Sequence, residues 1–201
     1  MSRTANEAIN SYVTDMIALE DHLDKAIRGQ IEDFDEERPA YTRHLREIQI
    51  QTQQHISTLR GLAERRHVNG GGVAEAIKRF AASVAGAGAA LIDIVRNEKL
   101  PKDLRDDYTA VNLAVIGYAM LHTTGMALSD QEVADIARRH MTDYAHTVMV
   151  LQKIIPSAVL DALREDGLTA RPDVLHQVDD SFTQVWQEAR QNVPDAEHAF
   201  A

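Results

Sequence analysis

The sequence contains no cysteine, which excludes disulfides, thiolate metal sites and cysteine nucleophiles and leaves the redox compartment open. Long hydrophobic runs are missing too. The longest, near Ala81 to Ile92, is rich in alanine and glycine and is bounded by Arg79 and Asp93, so no membrane partner is expected. The opening MSRTANEAINSY has no apolar core of a secretory signal, and a cytoplasmic location is the expectation. Positive charge is scarce: 21 Lys and Arg stand against 31 Asp and Glu, a formal net charge of -10. No lysine/arginine block offsets this locally, which argues against nucleic acid or an anionic membrane surface as a partner. Gly70 to Gly72 follow a helical pattern and lack the strand, helix and lysine that frame a phosphate-binding loop. No nucleophile, base and acid fall at a telling spacing, and no stretch reads as a strand.

What is present is helical periodicity. Hydrophobic content of 44% over 201 residues is ample for the core of one domain. Thr4 and Glu7 have the spacing of a capping box, which starts a first helix running to about Asp33 before Pro39. A second spans Tyr41 to about Arg66, with HVNGGG (67–72) as its stop signal. A third covers Val73 to Arg96 and is rich in small residues. A fourth runs from Lys102 to Leu128, and Ser129 with Glu132 reads as a second capping box opening a fifth, which Pro156 cuts after Ile155. A short helix from Ser157 to Glu165 follows, then a last one carrying Val174, Val178, Phe182, Val185 and Trp186. The expected fold is all-α, a four-helix bundle with additional helices between the two helix pairs and at the C-terminus. In domain terms this divides the chain into a bundle over 1–155, with an inserted helix at about 73–96, and a helical extension over 156–201.

Polar residues interrupt the apolar stripes at a few positions. In the first helix Ile9, Val13, Met16, Leu23, Ile27 and Ile31 recur at steps of three and four, and the one gap is filled by Glu20. A buried carboxylate is costly unless paired, protonated or metal-bound, although a glutamate at a stripe edge can also reach water. Thr52 and His55 fall inside the stripe of Leu45, Ile48, Leu59 and Leu62. On the fifth helix Asp143 and His146 stand three apart, a pair able to share a ligand, and His140 shares the stripe of Asp143. Two acids and two histidines, Glu20, His55, Asp143 and His146, suit one divalent ion such as iron, manganese or zinc. They equally suit a buried hydrogen-bond network without metal.

ALEDHLDKAI (18–27), QTQQHISTL (51–59) and the spacing from Gly117-Tyr118 through Leu151 resemble the bacterial YciE/YciF-type ferritin-like stress proteins. That resemblance implies a ferritin-like bundle with a dinuclear metal site, and it places Glu20 on the family's glutamate. It also implies glutamates where this sequence has Gln51 and Ala114, and Asp143 stands for a longer glutamate. The implied function is therefore that of a stress-response-type protein with a degenerate site, at most weakly mononuclear and at most weakly ferroxidase-like. The alternative is a metal-free dimerisation or protein-interaction module on the same bundle. Apolar surface on Val73 to Arg96 and on Val174 to Val185 points to a homodimer.

Overall fold

The first helix, α1 (Ala5–Phe34), begins at the capping box read from Thr4 and Glu7. The Glu7 amide donates to Thr4 Oγ1 at 3.2 Å and the Thr4 amide to Glu7 Oε2 at 2.8 Å, so two amides orphaned by the helix start are satisfied reciprocally. α2 (Pro39–Arg65) takes its proline at the first position, where the missing amide costs nothing. The remaining helices are α3 (Gly70–Leu91), α4 (Lys99–Ala127), α5 (Gln131–Glu165) and α6 (Val174–Asn192). This computed structural model describes residues 4–34, 38–68, 70–91 and 99–193, apart from the side chains of 81, 83–91 and 99, and among the described residues there is no strand.

Three boundaries depart from the sequence reading, each for a local reason. α2 ends as read, within the HVNGGG stretch, where His67 turns into the left-handed region at φ 55°, but the third helix starts at Gly70 rather than Val73, with the glycines as its first turn. The N-cap of α5 is Asp130 rather than Ser129. Ser129 takes φ 57° just beyond α4, and the Asp130 carboxylate accepts the Val133 amide at 3.2 Å. Pro156 does not cut α5, which continues unbroken to Glu165, so the edge drawn at 155/156 falls inside one helix and no separate helix starts at Ser157. Proline's fixed φ suits a helix, and the lost amide bond is offset by the burial of Ala158, Leu160 and Ala162 beyond it. The end expected for the third helix at Arg96 lies outside the described residues.

Contacts between helices fix the topology. α1 and α2 are antiparallel, Asp24 receiving Gln53 Nε2 at 3.0 Å and Asn10 receiving Arg66 Nε at 2.8 Å. α4 and α5 are antiparallel, with Tyr118 beside His140 and His122 beside Ala134. α4 also runs against α1, joined by Gln30 to Asp107, and α5 against α2, joined from Arg66–Asp130 at one end to Arg38–Glu165 at the other. The four directions are up, down, down and up, so the chain from 66 to 98 must travel the length of the bundle between α2 and α4. α3 lies in that connection and packs on α1, where Phe80 meets His22 edge to face at 5.6 Å.

The stripes read from the sequence are the core. Ile9, Val13, Met16, Leu23 and Ile27 of α1, Leu45, Ile48, Leu59 and Leu62 of α2, Leu104 and Val111 of α4, and Val133, Ala137, Val148 and Leu151 of α5 are all buried. α4 and α5 approach closely at Gly125, where an added Cβ would lie 2.8 Å from the Ala134 nitrogen. α6 is different. It touches α5 alone among the described elements, has no buried residue, and leaves Phe182, Val185 and Trp186 exposed.

Candidate functional site

One layer across the middle of the bundle is polar, and every bundle helix contributes to it. α1 supplies Glu20, α2 Thr52 and His55, α4 Tyr118, and α5 His140, Asp143 and Tyr144. Glu20 has no solvent exposure. Its Oε1 receives the Tyr118 hydroxyl and its Oε2 the Tyr144 hydroxyl, both in short contacts, and Oε1 also lies 3.2 Å from His55 Nδ1. Burial and the Glu20 charge beside them push both phenols well above the usual tyrosine value, so each keeps its proton and spends it on the carboxylate.

That assignment fixes the remaining hydrogen bonds. With its proton committed to Glu20, the Tyr144 oxygen accepts from Thr52 Oγ1 at 3.1 Å. The Tyr118 oxygen likewise accepts from His140 Nδ1 at 3.0 Å, which makes His140 the Nδ1–H tautomer. Burial, then the neighbouring His55 and Arg139, lower His140 to about 3, so it is a neutral imidazole at physiological pH. His55 faces carboxylates from both sides, Glu20 at Nδ1 and Asp143 Oδ2 at Nε2, 3.1 Å away.

The two imidazoles stack, centroids 3.8 Å apart and planes 14° from parallel. Tyr144 packs its edge on His55 at 4.8 Å and Tyr118 on His140 at 5.0 Å, so the rings close a compact aromatic box around the carboxylate. Asp143 is the layer's opening to water, with its side chain 44% exposed.

Of the four residues singled out from sequence, Glu20, His55 and Asp143 come together in this layer. His146 does not join them: it is exposed on the outside of α5. His140 completes the group instead, and Glu20, His55 and His140 each offer a ligand atom within 4.8 Å of the others, the one such cluster among the described residues. Gln51 is half-buried and donates to Thr147 at 3.3 Å, while the inward residue one turn ahead of His55 is Thr52. Tyr118 and Tyr144 lie on the apolar faces of α4 and α5, level with Glu20, and nothing in the sequence distinguishes them from core tyrosines.

As arranged, these side chains do not fit a metal ion. An ion would lie about 2 Å from each ligating nitrogen and in the plane of its ring. In a near-parallel stack, with centroids 3.8 Å apart and planes 14° from parallel, the in-plane lone pairs of the two rings run side by side and do not converge on one point. Both His55 nitrogens already face carboxylates, and both Glu20 oxygens already accept phenol hydroxyls.

No family profile matches the sequence, and no curated protein matches it. A crystal structure of a protein from Xanthomonas campestris pv. campestris is similar in fold, with a TM-score of 0.65 over 82% of this chain and 99% of that one, at 16% sequence identity. Among the described residues no helix is long and apolar enough to cross a membrane.

Proposed function

We infer that this is a ferritin-like bundle, of the kind the stress-protein resemblance implies, whose metal layer has become a hydrogen-bonded network. In this reading the protein works as a metal-free helical scaffold for dimerisation and protein interaction. Two helix pairs joined by one long crossover support the ferritin-like assignment. A di-iron bundle places one glutamate on each of two helices and a Glu-x-x-His pair on each of the others. The inward positions here are Glu20, Thr52-x-x-His55, Tyr118 and Tyr144-x-x-Thr147.

The observation that carries the reading is that Glu20 is the one carboxylate buried in this layer and both its oxygens are taken by phenols. Two divalent ions would bring four positive charges to a single buried negative one, with no water to screen them. The Tyr118 and Tyr144 hydroxyls instead satisfy the carboxylate, with Thr52 backing Tyr144.

A single weakly held ion is the second reading, favoured by the proximity of Glu20, His55 and His140. It requires one ring to turn out of the stack and Glu20 to exchange a phenol for the ion. Elemental analysis of protein purified without chelator, with Glu20→Gln and His140→Ala variants alongside, separates the two. The scaffold reading expects less than about a tenth of an equivalent of iron, manganese or zinc. An equivalent that disappears in both variants establishes the mononuclear site, and two tightly held irons per chain would refute the charge argument.

A further inference from the structure

We propose that the outer face of α4 is a self-association surface on which two copies of this chain pair antiparallel across a two-fold axis near Ile116. From Tyr108 to Ser129 the chain has no Asp, Glu, Lys or Arg. The outward faces of the other bundle helices are charged: Asp15 and Lys25 on α1, Glu47 and Arg60 on α2, and Arg138 and Lys153 on α5 are exposed. Beyond Asp106 the exposed positions of α4 are Thr109, Leu113, Ile116, Met120, Thr123, Met126 and Ala127, and all but Met126 recur at alternating steps of four and three, which is one straight stripe. Leu113, Ile116 and Met120 are 51%, 60% and 48% exposed. A helix that is apolar on every side is ordinarily covered on every side. α1 and α5 cover the inner side of α4, and among the described residues no helix covers the outer one.

Charge selects the occupant. Chains of net charge -10 repel, and this is the bundle face on which two of them meet without bringing carboxylates together. The stripe is also nearly symmetrical about its middle. In an antiparallel pair centred on Ile116, Leu113 comes opposite Met120 and Thr109 opposite Thr123, as an isologous interface requires. A parallel pair would bring the exposed Asp106 towards its own copy. The stripe covers 18 residue steps, about 27 Å at 1.5 Å per residue, a narrow contact beside the roughly 800 Å² per partner of a standard interface. A reversible dimer in the micromolar range is therefore expected.

This deepens the scaffold reading and stands apart from the metal question. An ion found at Glu20 leaves the α4 face as it is, and a monomer in solution leaves the polar layer as it is. The test is light scattering on the full chain from about 1 to 200 μM, with circular dichroism on the same samples. The expected result is a concentration-dependent dimer that becomes monomeric in Ile116→Glu with unchanged thermal unfolding of the monomer. Because the chain has no cysteine of its own, Ile116→Cys should cross-link to a covalent dimer on oxidation while Thr142→Cys, on the outer face of α5, does not. A wild-type monomer throughout the range, or a dimer that survives Ile116→Glu, overturns the proposal. So does an Ile116→Glu monomer that melts early, which would mean that a segment of the same chain covers the face, and so does binding of the monomer to neutral lipid vesicles that Ile116→Glu abolishes.

Discussion

Asparagine in place of Asp107 should stabilise the protein at alkaline pH and flatten a pH dependence that the wild type shows between about pH 4 and pH 7. Asp107 is buried where α4 meets α1. Its Oδ1 accepts Gln30 Nε2 at 2.8 Å, while its Oδ2 and Gln30 Oε1 are buried acceptors with no donor among the described residues. A proton on the carboxyl supplies the missing donor. Burial raises this group from its ordinary 3.8 to about 7, helped by the charges of Asp103 and Asp106 and opposed by the Gln30 hydrogen bond. Since the folded value lies above the unfolded one, the stabilisation is complete below about pH 4 and is lost as pH rises through about 7. Three units at ~1.36 kcal/mol each amount to about 4 kcal/mol, more than half of which falls between pH 5 and pH 8. An asparagine keeps the acceptor for Gln30 Nε2 and carries no charge at any pH, so the variant should lack that increment. Urea unfolding followed by circular dichroism at pH 5 and pH 8 measures it as the difference between wild type and Asp107→Asn, which cancels the other titrating groups. Equal pH slopes in the two proteins, or a variant less stable than wild type at pH 8, would refute the argument.

Two further substitutions probe packing and the polar layer. Gly125→Ala drives a methyl into the Ala134 backbone, which cannot give way, and should cost about 1–3 kcal/mol of unfolding free energy. Gly117→Ala meets only the flexible end of Met16 and should cost clearly less in the same urea titration. Tyr144→Phe leaves Glu20 Oε2 buried without its phenol donor and should cost on the order of 2 kcal/mol; a neutral result would mean that the carboxylate does not depend on that hydroxyl.

The fold was legible because four stripes of period 3.6 run through long helices, and the core residues of α1, α2 and α5 follow those stripes closely. Glu20 and His55 stood out because each breaks a stripe with a polar group. Tyr118 and Tyr144 carried no such mark: a tyrosine on an apolar stripe reads as core, and only the level of its hydroxyl relative to Glu20 gives it a role. His146 drew attention through its spacing from Asp143, yet it lies two residues beyond the inward Tyr144, about 200° around the helix, whereas His140 lies one turn before it on the same side. Pro156 shows a local rule yielding to burial. The periodicity of α5 continues through Ala158 and Ala162, and that face outweighs one missing amide bond. At Ser129 and Asp130 two good capping residues are adjacent, and only the backbone, left-handed at Ser129, decides between them.

The crossover between α2 and α4 also governs how the chain can assemble. α1 with α2, and α4 with α5, are helical hairpins made from neighbouring stretches of chain, and such local pairs form early because little loop entropy opposes them. Each alone holds half of the polar layer. The first hairpin carries Glu20, an acceptor without its phenols, and the second carries Tyr118 and Tyr144, donors without their carboxylate. Neither half can dry at its middle until the other arrives. A hairpin docked one turn out of step would bury Glu20 against hydrocarbon at a cost of several kcal/mol. Final docking is therefore read at one level of the bundle, where a carboxylate must find two hydroxyl protons at once, and folding intermediates with the hairpins undocked should keep Glu20 in water.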